Sequence, residues 1–187
     1  MRKIFLSTFL ILTGFFTLSA QNDVLPNVMT KGTNMGSLGV GLPVIGAGYR
    51  MSVPPISAFY EVGILDLGRP GSVAVGAQAG LWGYRYKTSI GDYDATYRYF
   101  NTLVGLRGTY HFTILENWEV YGGAVLGLKL ESNRHKDNVG TTVSNTHVRF
   151  GWQVLGGTRY MFTPYLGAFV EAGYGFTIAT IGATYRF

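Results

Sequence analysis

The 187-residue chain contains no cysteine, which excludes a disulfide framework, a thiolate metal site, a cysteine nucleophile and a lipoprotein anchor. Charge is scarce at 13% Asp, Glu, Lys and Arg, and the surplus of +5 is spread along the chain. Nucleic-acid binding needs cations clustered on one face, so no nucleic-acid partner is expected. Prolines number only six and no Gly-X-Y period accompanies the 27 glycines, which removes a collagen-like chain. After residue 20 no apolar run approaches the roughly 20 residues that a membrane-spanning helix needs. What remains is 47% apolar and 15% aromatic, far too greasy for a disordered protein.

Met1-Arg2-Lys3 is cationic, Ile4 to Leu18 is apolar, and Ser19-Ala20 supplies small residues ahead of Gln21. That order reads as an export signal, residues 1–20, cleaved in the mature protein. Its loss lowers the net charge to +3, because the segment carries Arg2 and Lys3 and no acid. Residues 21–32 read as a short periplasmic tail, and residues 33–187 as one domain.

Within that domain the governing signal is period-two alternation. Ile181, Ala183, Tyr185 and Phe187 alternate with Thr180, Gly182, Thr184 and Arg186. One face is apolar and the other small, polar or charged, as in a strand between two different environments. The same dyad recurs about every 20 residues, for instance in Ile56, Ala58, Tyr60 and Val62 against Ser57, Phe59, Glu61 and Gly63, giving eight strands. Without an apolar helix, only a closed barrel can satisfy every backbone polar group in lipid. The expected fold is therefore all-β, an eight-stranded antiparallel transmembrane barrel of the outer-membrane type. Short connections are expected at 66–72, 113–117 and 163–164, a tight turn near Phe176-Thr177, and longer loops at 43–54, 88–96 and 132–146.

An eight-stranded barrel is just wide enough for its own side chains. Glu61, Glu119, Glu131 and Glu171 share the inward parity with Arg107, Lys129, Arg149, Arg159 and Arg186, so the signs nearly cancel. A cross-lumen network of Glu61, Gln78, Arg107, Arg159 and Glu171 is expected, with Arg107 bridging Glu61, Glu171 or both. Such paired charges fill the lumen and leave it non-conducting.

The segment from Pro54 to Gly63, the run Arg107-Gly108-Thr109-Tyr110-His111-Phe112, the stretch Val120-Tyr121-Gly122-Gly123 and the ending Tyr185-Arg186-Phe187 resemble small outer-membrane β-barrel proteins of Bacteroidetes-type bacteria. The plan is also similar to the OmpX and OmpA-barrel group. The likeness covers about residues 33 to 187. It implies a cell-outer-membrane location and a structural or surface-interaction role in adhesion or envelope integrity. It also implies that the C-terminal aromatic Phe187, supported by Tyr185, is read by the barrel-assembly machinery.

No H-E-x-x-H or G-x-S-x-G motif occurs, and the three histidines, His111, His135 and His147, do not form a ligand set. No catalytic residue, cofactor or metal is assigned. The alternatives are an outer-leaflet lipid-modifying enzyme, for which Ser144, His147 and Glu131 are the imaginable set, and passage of a small hydrophobic solute. Arg85, Lys87 and Arg98 fall at the outer ends of consecutive strands, the two arginines on the lipid-facing parity. They are candidate contacts to lipopolysaccharide phosphates or simply charges reaching into the headgroups. Trp118, Tyr160, Phe162, Tyr185 and Phe187 read as an interfacial girdle. Tyr84, Tyr86, Tyr93, Tyr97 and Tyr99 cluster near the second outer loop, as rim packing or a binding patch. A monomer contacting outer-membrane lipid, with an extracellular partner at its loops, is the reading that results.

Overall fold

A computed structural model describes residues 28–43, 50–68, 71–90, 93–137 and 142–187, with backbone alone at 89, 90, 93–95, 135–137 and 142–144. The expected leader and residues 21–27 lie outside the described residues, as does Tyr93's side chain. Eight strands follow one another: β1 Asn34–Pro43, β2 Arg50–Asp66, β3 Gly71–Ile90, β4 Tyr93–Leu115, β5 Trp118–Asp137, β6 Thr142–Met161, β7 Leu166–Tyr174 and β8 Thr177–Arg186. Each pairs antiparallel with the next, and β8 pairs with β1 to close an eight-stranded barrel. The fold is that of an outer-membrane β-barrel.

The register fixes the shape. From Leu38, the paired row running through Ala58, Ala79, Val104 and Leu128 arrives on β6 at Phe150. The row running the other way, through Ala183 and Ala168, arrives on β6 at Tyr160, ten residues away. That offset is the stagger that tilts the strands, about 40° from the barrel axis in proteins of this kind. Alternation then sorts the side chains. Leu106 is 75% exposed on the outside of β4, while its neighbour Arg107 is 1% exposed within. The outer wall carries Leu126, Leu128, Phe150, Val154 and Ile181, all exposed, so that the apolar surface faces outward and the polar surface inward.

The described residues of all three expected long loops are strand: β2 already begins at Arg50, within 43–54. β3 and β4 stay paired as far as Ile90 and Tyr93, and β5 and β6 as far as Lys136 and Thr142. Residues 88–90, 93–96, 132–137 and 142–146 are polar because a strand beyond the apolar belt has no apolar face to maintain, not because the chain turns early. On the opposite side, β7, β8 and β1 have only 9, 10 and 10 residues, the length of one membrane crossing. The barrel is therefore lopsided, with a tall wall over β3–β6 and a low rim over β7, β8 and β1.

The residues before β1 also depart from the expected tail. Val28 and Met29 are buried, and with Met35, Ala74 and Met161 they form an apolar cluster at the periplasmic end. The Val28 amide donates to Thr113 Oγ1 at 3.2 Å and Ser72 Oγ donates to the Met29 carbonyl at 2.7 Å. The Lys31 amide donates to Asp66 at 3.0 Å, and Arg186 donates to the Val28 carbonyl. Residues 28–33 fold back across the periplasmic mouth because two apolar side chains there gain burial and their backbone polar groups find partners.

Candidate functional site: a filled lumen and a cationic outer wall

The interior is layered. Above the methionine cluster lies the charged layer, set by inward positions of β2, β4, β5, β6 and β7. Arg107 Nε donates to Glu61 Oε1 at 2.9 Å, its Nη1 to Gln78 at 2.8 Å, and its Nη2 to Glu171 at 2.5 Å. Arg159 donates to the second Glu61 oxygen at 2.9 Å and to Glu119 Oε1 at 2.8 Å. Glu61 thus sits between two guanidiniums and also accepts from Thr109 at 2.7 Å. Tyr121 donates to Glu171 at 2.9 Å, and His111 lies 3.0 Å from Glu119. Arg107 packs over Phe59 and Arg159 over Tyr121, which satisfies the flat faces of both cations. The structure brings Glu61, Gln78, Arg107, Arg159 and Glu171 into one connected cluster.

Glu119, His111, Thr109 and Tyr121 belong to the same cluster. Inward parity marked them in the sequence, but their partners follow only from the ring order and the stagger, which no local pattern carries. Gln78 continues the chain upward to Gln153 at 3.0 Å, and Gln153 to Thr177 at 3.2 Å. Above it Trp82, Leu103, Tyr121, Val125, Leu155 and Phe176 form an apolar cluster, with Trp82 and Phe176 edge to face at 4.9 Å. Gly80 makes this possible, since a β-carbon there would overlap the Phe176 ring. At the outer mouth Glu131 pairs with Lys129 at 2.7 Å and Arg149 at 3.2 Å.

The register sets His147 opposite Glu131 and Ser144 opposite Arg134. Positions 144 and 147 therefore have opposite parity on β6, and the Ser144 side chain lies outside the described residues, as does that of His135. Tyr84 stacks on Tyr99 at 4.8 Å, and Tyr86 lies 6.4 Å from Tyr97, both pairs on the inner parity of the tall wall. Trp118, Tyr160, Phe162, Tyr185 and Phe187 are exposed on the outer surface near the periplasmic rim. Phe187 lies edge to face with Tyr185 at 5.1 Å, and its amide donates to the Asn34 carbonyl at 3.0 Å. Arg85 and Arg98 are Cα partners across β3 and β4, both exposed, and Lys87 stands two residues further up the same face.

Geometry of this kind defines a class, a transmembrane β-barrel with an apolar outer belt and a packed polar interior. Among solved structures, the chain is similar to Ail, the attachment invasion locus protein of Yersinia pestis, solved with the heparin analogue sucrose octasulfate. The two share 14% identity and a TM-score of 0.53, over 84% of this chain and 100% of that one. The N-terminal barrel domain of Pseudomonas aeruginosa OprF is similar at 14% identity and TM-score 0.46, over 84% of this chain and 98% of that domain. A de novo designed transmembrane barrel is similar at 13% identity and TM-score 0.46, over 85% and 98%. No protein-family model and no curated protein sequence matches the chain.

Proposed function

We propose that the protein is a monomeric, non-enzymatic resident of the outer membrane whose lumen is sealed and whose work is done on its outer surface, in adhesion or envelope integrity. Residues 1–20 direct export and are removed, and Tyr185 and Phe187 present the C-terminal strand to the barrel-assembly machinery. Arg85, Lys87 and Arg98 meet lipopolysaccharide. The observation that carries the reading is the asymmetry of the strands. The last β6 residue paired with β7 is Val154, yet β6 begins at Thr142, so a long stretch of strand stands above the low rim. Such a wall offers surface to a partner beyond the membrane, while the packed lumen leaves no wet path through the barrel. Ail is an attachment invasion locus protein and was solved with a heparin analogue, which supports the same reading here.

The test replaces residues 132–146 with a short turn and compares intact cells carrying either form. The expected result is a barrel that still shows heat-modifiable gel migration but has lost binding to host or envelope partners. Sustained conductance of the unaltered protein in planar bilayers, or unchanged surface binding by the shortened form, would overturn it.

A further inference from the structure

The outer face of the tall wall carries a row of arginines that extends beyond Arg85 and Arg98. Arg50 is the Cα partner of Arg85, Arg85 of Arg98, and Arg98 of Arg134, so four adjacent strands each place an arginine on the same rung. Directly paired residues share a face, and all four are exposed. With strands about 4.8 Å apart, the row is about 14 Å long. It climbs obliquely, because a rung at right angles to tilted strands rises as it passes round the barrel.

Like charges directly opposite one another destabilise a sheet. Among the described residues no carboxylate is paired with any of the four, whereas every lumenal arginine in the charged layer has one. Four cations in register, with no acid paired to them among the described residues, present concentrated positive charge to whatever lies against that wall. Position identifies what lies there. On β4 the outward series Val104, Thr102, Phe100 ends at Arg98, and on β5 Leu128, Leu130, Ser132 ends at Arg134. The row begins where the apolar belt stops, and Arg85, Arg98 and Arg134 line one cleft with Phe100 and Ser132. Anionic headgroups of the outer leaflet lie at that depth, and guanidinium grips phosphate oxygens in a two-pronged fashion that a lysine cannot match.

We infer that Arg50, Arg85, Arg98 and Arg134 form a single ladder that binds the phosphate groups of one outer-leaflet glycolipid, its acyl chains lying on the apolar wall below. This rests on the outer-membrane reading given above. The test reconstitutes the protein into phosphatidylcholine nanodiscs with intact or phosphatase-treated lipopolysaccharide. Wild type is compared with Arg50→Gln/Arg85→Gln/Arg98→Gln/Arg134→Gln and with Arg85→Gln/Arg98→Gln. Wild type should bind intact lipopolysaccharide at least about tenfold more tightly than either variant, and phosphatase treatment should erase the difference. Equal binding by wild type and the double variant, or undiminished binding of the dephosphorylated lipid, would overturn the ladder. Competition by soluble sucrose octasulfate as effective as that by the lipid would overturn the lipid assignment in favour of a soluble polyanion. Heat-modifiable migration in phosphatidylcholine alone separates the two levels: its absence in wild type defeats the outer-membrane reading, and its presence with no lipopolysaccharide preference defeats only the ladder.

Discussion

Glu61 is the side chain on which the charged layer turns, since each of its oxygens meets a different guanidinium. Burying an ion costs several kcal/mol, and that cost is offset only while every partner stays in place. Glu61→Ala leaves Arg107 and Arg159 each short of a carboxylate. The variant should lose about 3–5 kcal/mol in a denaturant titration of the detergent-folded protein. Glu131→Ala, at the partly exposed mouth, should lose about 1 kcal/mol or less in the same titration. Equal losses would mean that the lumen is wet throughout. Gly80→Val tests the apolar layer above. The added side chain must displace Phe176 from Trp82 and should cost about 1–3 kcal/mol, read from the same titration and from a change in tryptophan fluorescence.

Among the elements, residues 28–33 cross the periplasmic mouth into β1, and Gly63 is one of the points at which they touch the wall. A β-carbon at Gly63 would collide with the Thr30 carbonyl, so Gly63→Val should lift residues 28–33 out of the mouth. The expected outcome is faster protease cutting near Lys31 with no conductance in planar bilayers, because the charged layer above still closes the tube. Conductance in that variant would make the N-terminal segment, and not the ions, the seal. This segment could not have been read from the sequence: Val28 and Met29 are two apolar residues without a period. The strands through the belt were legible for the opposite reason, since lipid outside and charge inside impose a strict dyad on Ile181 to Phe187 and its counterparts. That dyad fades at Thr88 and Ser132, where the apolar belt ends, so the polar strands beyond it read as loops. Arg85 and Arg98 were visible as breaks in the apolar parity, but Arg50 joins their rung only through the irregular pairing of Met51 and Val53, which no sequence period records.

At the scale of the whole molecule, one physical requirement links lumen, belt and wall: the outer surface must face hydrocarbon to a definite height and water above it. Mutational cost should therefore depend on height along a strand and not on the residue's exposure alone, since Phe100 and Tyr110 towards the ends of the belt are exposed as well as Leu106. On β4, Leu106 lies near the middle of the outward apolar series, and on β5, Ser132 lies just beyond its end. Leu106→Arg places a cation at the bilayer midplane and should cost about 2–4 kcal/mol, while Ser132→Arg near the interface should cost about 0–1 kcal/mol. Both are measured by reversible denaturant titration in phosphatidylcholine vesicles. Repeating the pair in detergent micelles, whose headgroups adapt to a charged wall, should shrink the difference. If Leu106→Arg were harmless in vesicles, the belt would not be immersed in lipid. The outward leucines would then have to be covered by protein, and the ladder of arginines at their upper edge would lose its membrane setting as well.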